Sequence, residues 1–211
     1  MSYASMPASA ARPDVEIVEA KTGFERFLRM DVVRFRHRLF SGGWSAVHTY
    51  DVLRRGAAVA VVPYDPARDS VVLVEQFRLP ALLAEATPWQ VEIPAGLVEP
   101  GEPAAAVAAR EMREETGLAL IGDPIPIQRY LPSPGDSDES VFLFCARVDS
   151  TVAAGVHGLP EEGEDIRVVV KTLSEVEAML DAGAIENGHT LVALYWLLRH
   201  RSRLRQLLAA N

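Results

Sequence analysis

The sequence predicts an α/β fold, and three observations support this prediction. Residues 15–53 contain segments in which apolar and polar side chains alternate, a pattern typical of antiparallel strands. Ala57–Pro63 and Ser70–Phe77 are short apolar runs of the kind that form buried strands. An alanine-rich segment between Pro103 and Thr116 has the composition of a helix. At 211 residues, the chain suits one domain, or one domain with a small appendage.

The N-terminal part is predicted to consist of a tail and a strand region. Residues 1–14 are rich in Ala and Ser, lack periodicity, and are expected to form a mobile tail. Residues 15–55 hold three predicted antiparallel strands. Arg34, Arg36 and Arg38 alternate along the second strand, so they share one face. That face is either solvated, part of a subunit interface or a contact to phosphate.

Residues 56–211 carry the remaining predicted elements. Further strands are expected at Trp89–Pro94, Ile125–Leu131, Ser140–Val148 and Ile166–Lys171. A helix over Ser174–Ala182 is expected to begin with Ser174 as its cap. The last helix is predicted to begin at an Asn187 or Thr190 cap and to run to about Leu208. Its core stripe is predicted to be Leu191, Leu194, Tyr195 and Leu198.

The composition narrows the classes of partner. The formal net charge is −8, which argues against nucleic acid as a bulk electrostatic partner. A single cysteine, Cys145, allows no internal disulfide and fits a reducing compartment. No signal-peptide pattern and no apolar run of roughly 18 residues is present, so we expect a cytoplasmic protein without a membrane partner.

The alanine-rich helix carries the most informative cluster of side chains. At helical spacing, Glu111 and Glu115 lie one turn apart on one face, with Glu114 beside them. Arg110 precedes Glu114 by four residues and can pair with it. Carboxylates this close indicate a bound cation, and hard oxygen ligands favour Mg²⁺, with Mn²⁺ as a substitute. A solvated acidic face is the alternative; the ordered arginine and the glycines at both ends argue against it.

This stretch resembles the Nudix box, Gly-x5-Glu-x7-Arg-Glu-U-x-Glu-Glu-x-Gly-U, in which U is a bulky apolar residue. Every defined position is filled, by Gly96, Glu102, Arg110, Glu111, Met112, Glu114, Glu115, Gly117 and Leu118. The resemblance implies a strand-loop-helix-loop unit inside a Nudix α/β/α sandwich with an N-terminal antiparallel sheet. It also implies metal-dependent hydrolysis of a nucleoside diphosphate linked to another moiety.

Segments outside the box resemble the ADP-ribose pyrophosphatase group of this family. They are RFRHRLF, EQFR at Glu75–Arg78, SPG at Ser133–Gly135, and GLPEEGEDIRV in a second acidic loop. The resemblance implies cleavage of ADP-ribose to AMP and ribose 5-phosphate. It further implies a homodimer in which the N-terminal strands of residues 15–55 are exchanged and the active sites are shared.

The resemblance also implies roles for individual residues. Metal ligands would be the backbone carbonyl of Ala95 together with Glu111, Glu115 and Glu164, with Arg110 and Glu114 in support. Glu162 on the second acidic loop would be the general base, and Glu164 would reach the metal when this loop closes. Glu162 and Glu164 can exchange these roles, and Glu161 is a weaker candidate.

Substrate contacts are implied on several segments. Arg55 and Arg78 match positions on the ribose-phosphate side, where the planar guanidinium suits phosphate oxygens. Phe27 matches an aromatic residue that stacks on adenine, its alternative being a core strand position. Ser133 and Leu97 complete the predicted substrate-binding set.

Two departures from the group's pattern affect these contacts. Tyr50 and Asp51 stand where the group often carries an arginine and an acid, and Gly135–Glu139 differs from the usual Gly-Gly-Thr-Ser-Glu. GDP-mannose and other nucleoside diphosphate sugars are therefore alternative substrates. A non-cleaving ADP-ribose sensor is disfavoured by the intact box, and a hydrolase of free nucleotides by the extra N-terminal strands and second acidic loop.

Overall fold

The computed structural model describes residues 12–209, which divide into two compact units. Unit 1 comprises residues 12–56 together with Leu131–Ser140, and unit 2 comprises Ala57–Tyr130 with residues 141–209. Most of the predicted tail, residues 1–11, lies outside the described residues. The described part of that segment leads through a turn into the first strand at Val15.

Unit 1 is a three-stranded antiparallel sheet, as predicted, and its strands follow one another in chain order. The strands are β1 (Val15–Glu25), β2 (Arg29–His37) and β3 (His48–Arg54). Loop 131–140 is attached to the end of β3 through Asp138. One oxygen of this carboxylate accepts the Arg54 Nε–H at 2.6 Å, and the other accepts the Arg55 amide at 2.7 Å. The loop is therefore held by charge-assisted hydrogen bonds.

Unit 2 is built on an eight-stranded sheet, counted within residues 12–209. Its path runs β10-β11-β5-β4-β9-β8, with β6 paired to β5 and β7 paired to β4. The strands are β4 (Ala57–Asp65), β5 (Ser70–Phe77), β6 (Trp89–Glu92), β7 (Ala95–Leu97), β8 (Ile125–Tyr130), β9 (Ser140–Arg147), β10 (Val156–His157) and β11 (Ile166–Thr172). The sequence did not predict β7 or β10, because strands of three and two residues show no periodicity.

Helices cover both faces of this sheet, which confirms the predicted α/β/α sandwich. The helices of unit 2 are α1 (Leu79–Leu83), α2 (Ala104–Thr116), α3 (Leu173–Asp181) and α4 (Gly188–Ala209), and α1 alone among them buries no residue. Side chains alternate across β4, so Val59 and Val61 pack with Met112 of α2. Val62, on the other face, packs with Leu194 and Leu197 of α4. In the described chain, no helix is long and apolar enough to cross a bilayer.

Two details of the helices differ from the predictions, and a third decides between two predicted caps. The cap of α3 is Thr172, whose Oγ1 accepts the Glu175 amide in a capping box, so Ser174 is not the cap. Asn187 caps α4 by accepting the Thr190 amide at 2.9 Å, which decides between the two candidates. Tyr195 is 57% exposed, so its assignment to the core stripe was wrong.

Candidate active site

The candidate site is formed where β7 leads through a loop into α2. β7 pairs with β4, with Gly96 opposite Val59, and this pairing fixes the strand beside the helix. α2 ends at Gly117, whose φ of +70° is the left-handed conformation that glycine adopts readily. The strand-loop-helix arrangement expected from the motif is therefore present.

Glu111 and Glu115 lie one turn apart on α2 and are both buried, with 7% and 2% of their surface exposed. The Ala95 amide donates to Oε2 of Glu115 over 3.3 Å, which brings the predicted backbone ligand beside the second carboxylate. A Cβ at position 96 would overlap the Glu111 carboxylate, so only glycine leaves room for this side chain. Glycine is thus required here for the close approach of strand and carboxylate.

The two carboxylates are destabilised as anions by their surroundings. Burial raises the pKa of Glu111 to about 7, against the opposing effect of Arg110, and the charges of Glu114, Glu164 and Glu162 add to the rise. Burial, together with the charges of Glu111 and Glu164, raises the pKa of Glu115 well above its usual range. A divalent cation relieves both effects, so the donor set fits a hard metal ion.

Arg110 connects the helix to the strand that precedes it. Its Nη1 lies 2.8 Å from Oε1 of Glu111 and 3.0 Å from Oε2 of Glu114, while Nη2 donates to the Leu97 carbonyl over 3.3 Å. The Glu114 pair was predicted from the spacing. The bond to Leu97 depends on the turn of the chain between β7 and α2, which spacing alone does not give.

The second acidic loop, residues 158–165, lies against the C-terminal end of α2. The Gly158 amide donates to the Glu114 carbonyl over 3.0 Å, and the His157 ring packs so closely on Gly117 that a Cβ there would lie 2.6 Å from Cε1. Glu162 is exposed, whereas Oε2 of Glu164 accepts the Leu159 amide at 3.0 Å within the loop. In residues 12–209, no three acidic, histidine or cysteine side chains converge tightly enough to hold an ion.

Arg78 follows β5 and pairs with a buried carboxylate that the sequence analysis did not single out. Glu92 is only 4% exposed, and its Oε2 and Oε1 lie 2.7 Å and 3.1 Å from Nη2 and Nε of Arg78. Gln76 Nε2 lies 3.4 Å from the same carboxylate. Glu92 lies in a strand whose apolar and polar side chains alternate. A carboxylate at an inward-facing position of such a strand indicates a charged partner, because burying an unpaired anion costs free energy.

The predicted site residues of unit 1 lie in the turn between β1 and β2 and near loop 131–140. Phe27 is 82% exposed, so the alternative of a core strand position was wrong. Arg55 Nε lies 3.8 Å from Glu139, and Ser133 Oγ donates to Asp136 at 2.5 Å.

Arg34 and Arg36 on β2 and Arg38, which directly follows it, have partners within unit 1. Arg36 and Arg34 pair across strands with Glu16 and Glu19 at 2.6 Å and 3.5 Å, and Arg38 lies over the Trp44 ring. Their side chains remain substantially exposed, in keeping with a solvated face.

The chain matches known proteins over nearly its full length. The family model described as "NUDIX domain" matches residues 54–193. An ADP-ribose pyrophosphatase of Escherichia coli K12 is 39% identical over 201 residues, covering 95% of this chain and 96% of the relative. The enzyme of that name from Haemophilus influenzae is 40% identical over 199 residues, covering 93% and 91%.

Two more distant matches concern substrate and fold. A GDP-mannose pyrophosphatase of Citrobacter koseri is 32% identical over 151 residues, covering 71% of this chain and 78% of the relative. A crystal structure described as an "ADP compounds hydrolase" superposes with a TM-score of 0.67 at 20% identity, covering 90% and 97% of the two chains. At that identity, the superposition supports the sandwich fold alone.

Proposed function

This chain belongs to the NUDIX family of hydrolases, and from that premise we propose that it cleaves the diphosphate of ADP-ribose to AMP and ribose 5-phosphate in the cytoplasm. The observation that carries the proposal is the buried carboxylate pair, Glu111 and Glu115, held against Gly96 in an intact box. Two relatives named ADP-ribose pyrophosphatase, each about as long as this chain and close to 40% identical, support the choice of substrate.

Glu111, Glu115 and the Ala95 carbonyl are the proposed ligands of Mg²⁺, for which Mn²⁺ can substitute. Glu164 is the fourth ligand: its carboxylate is hydrogen-bonded inside its own loop and joins the others when residues 158–165 close over the site. The bound metal would neutralise diphosphate oxygens and ease ionisation of the attacking water. Arg110 supports the cluster through its ion pairs with Glu111 and Glu114. Its hydrogen bond to the Leu97 carbonyl also links α2 to β7.

Glu162 is the proposed general base. It is exposed on a loop bonded to the end of α2, so it can reach a water molecule without being a member of the buried pair. Glu164 is the alternative base, in which case Glu162 would bind the metal.

Further residues are proposed as substrate contacts. Arg78 and Arg55 offer guanidinium groups to the phosphates, and the exposed ring of Phe27 is available to stack on the base. Ser133 and the Leu97 backbone complete this set.

GDP-mannose or another nucleoside diphosphate sugar is the second candidate substrate. Two features favour it: the match to GDP-mannose pyrophosphatases and the carboxylate of Asp136, bonded to Ser133 where the related group often has glycine. An added negative charge beside a proposed substrate contact changes which sugar hydroxyls that contact can bind.

We also propose that the active protein is a homodimer formed through unit 1, with active sites shared between subunits. β1 is eleven residues long, and every residue after Val15 is exposed. An exposed strand at the edge of a sheet offers unpaired backbone groups to another chain.

The experiment that tests the substrate is a hydrolysis panel with Mg²⁺. ADP-ribose, GDP-mannose, UDP-glucose, ADP-glucose and a nucleoside triphosphate are each incubated with the enzyme, and products are identified by chromatography. We expect kcat/KM for ADP-ribose to exceed the others at least about tenfold, a difference of roughly 1.4 kcal/mol in transition-state binding. A preference for GDP-mannose would replace the substrate and keep the chemistry. Cleavage of the triphosphate alone would contradict both candidates.

A further inference from the structure

Arg78 is paired with the buried carboxylate of Glu92, and the charges of Glu115 and Glu164 also act on it. It pairs at 2.7 Å with Glu92, whereas Glu115 and Glu164 act on its charge through space. Among residues 12–209, no side-chain hydrogen bond or ion pair joins Arg78 to either of these two glutamates. The guanidinium is therefore attracted by the acidic cluster as well as by Glu92, and Glu92 is the carboxylate with which it is paired.

An arginine in this position would ordinarily pair with the nearest unpaired carboxylates. Arg110 does so with Glu111 and Glu114, and its contact to Glu111 is through Oε1. A guanidinium that settled on Glu115 or Glu164 would occupy oxygen atoms that a metal ion needs. Its positive charge would also oppose binding of the cation, because like charges repel strongly in a site of low dielectric constant.

Glu92 is well placed to prevent this. It is 4% exposed and anchored in β6, where it lies opposite Val74 of β5. Its carboxylate accepts hydrogen bonds from both Nε and Nη2 of Arg78. This bidentate pair fixes the orientation of the guanidinium as well as its position. Gln76 donates to the same carboxylate from the neighbouring strand and completes its hydrogen bonding.

We propose that Glu92 is a positioning residue that keeps Arg78 away from Glu115 and Glu164, leaving those carboxylates free for the metal and the guanidinium oriented toward the diphosphate. The inference rests on the metal site described under Proposed function. It adds a role for Glu92, a carboxylate that is neither a proposed metal ligand nor a proposed substrate contact.

The test measures Mn²⁺ binding to the intact protein without substrate, by calorimetry or by the electron paramagnetic resonance signal of free Mn²⁺. Four proteins are compared: wild type, Glu92→Gln, Arg78→Met and the double variant. We expect Glu92→Gln to weaken Mn²⁺ binding about tenfold or more, as loss of residues that support metal ligands commonly does. In the double variant, binding should return to the level of Arg78→Met, since no arginine remains to compete.

Glu75→Gln is the matched control. Glu75 precedes Gln76 on β5, so it points to the opposite face of the sheet, and it pairs there with Arg167. This variant also removes the charge of a strand carboxylate that pairs with an arginine, but the arginine is Arg167 and not Arg78. Its Mn²⁺ affinity should equal that of wild type, and thermal melting verifies that all variants are folded.

The outcomes separate this inference from the proposed reaction. Unchanged Mn²⁺ affinity in Glu92→Gln would overturn the positioning role even if the enzyme hydrolyses ADP-ribose. If Mn²⁺ binding is weak in Glu92→Gln and equally weak in the double variant, Arg78 is not the cause of the loss, and the inference is overturned. Wild-type protein that binds Mn²⁺ but cleaves no ADP-ribose would remove the proposed substrate while the metal comparison remained valid. If the inference holds, excess Mg²⁺ should also restore kcat in Glu92→Gln. KM for ADP-ribose should remain above the wild-type value, because Glu92 no longer orients the guanidinium of Arg78.

Discussion

At the scale of single residues, the candidate site depends on how closely one strand and one helix approach each other. Glu111 and Glu115 were predicted from spacing alone because both lie on α2, where helical geometry fixes their relation. Glu92 was not predicted, because its pairing with Arg78 depends on the register between β5 and β6. Local motifs are thus visible in the sequence, whereas partners on different strands become visible in the fold.

The requirement for glycine at position 96 gives a direct prediction. In Gly96→Ala, the added methyl group overlaps the Glu111 carboxylate and forces that carboxylate out of its observed position. We expect kcat/KM for ADP-ribose to fall about 100-fold, the loss that a misplacement of roughly 1 Å can cause.

Gly188→Ala is the matched control for this substitution. Gly188 begins α4 and has open space around the position of a Cβ. Its activity should equal that of wild type, and alanine in a helix is favoured over glycine by up to about 1 kcal/mol. Full activity in Gly96→Ala would show that Glu111 does not need its observed position.

At the scale of elements, sequence patterns located most strands and helices but misplaced some of their ends. The predicted range of β5 agrees with the structure, since both ends of that strand are marked by turn or charged residues. The start of α3 was assigned two residues late, because Ser174 and Thr172 are both good capping residues. Only the observed backbone distinguishes them.

The α3 cap provides a test of that correction. Thr172 accepts the Glu175 amide, so Thr172→Ala should lower the free energy of unfolding by about 1 kcal/mol. Ser174→Ala, an exposed position within the first turn, should change it by less than about 0.5 kcal/mol. Urea unfolding followed by circular dichroism measures both. The reverse order of effects would restore Ser174 as the cap.

The stability that Asp138 contributes by attaching loop 131–140 to β3 should depend on pH. Burial opposes ionisation of Asp138, but hydrogen bonds from Arg54 and from the Arg55 and Gly56 amides outweigh it and lower the pKa. A carboxyl with a lowered folded-state pKa stabilises the fold above its unfolded pKa of about 3.9, and that contribution is lost as pH falls through the folded pKa.

We therefore expect the stability difference between wild type and Asp138→Asn to be largest near neutral pH and to shrink as pH falls from about 5 to 3. Thermal melts across this range measure it. Asp123→Asn, at an exposed site, should parallel wild type at every pH. A stability difference between wild type and Asp138→Asn that does not vary with pH would contradict the claim that the charge of Asp138 attaches the loop.

At the scale of the whole molecule, residues 12–209 form two units that differ in how much they bury. Unit 2 has a core on each face of its sheet, whereas β1 of unit 1 is exposed along almost its entire length. The sequence indicated an N-terminal sheet through its alternation. Alternation also predicts one buried face, and a single described chain leaves β1 without one.

A homodimer formed through unit 1 accounts for this exposure and is testable by sedimentation velocity. Wild type should sediment as a dimer, and Ile17→Glu on β1 should shift the population toward monomer because a charge replaces an apolar contact. Val152→Glu, at an exposed position of unit 2, should remain dimeric. A monomeric wild type that is fully active would contradict the shared active site.

The central claim is that Glu111 and Glu115 hold the cation on which diphosphate hydrolysis depends, and the most direct test combines activity with metal-free stability in Glu115→Gln. Glu115 is 2% exposed, and burial raises its pKa, so the neutral amide should leave the metal-free protein at least as stable as wild type. The same variant should lose about 100-fold or more in kcat with Mg²⁺. Glu177→Gln, exposed on α3, should match wild type in both measurements. A folded Glu115→Gln protein with wild-type turnover would contradict the account.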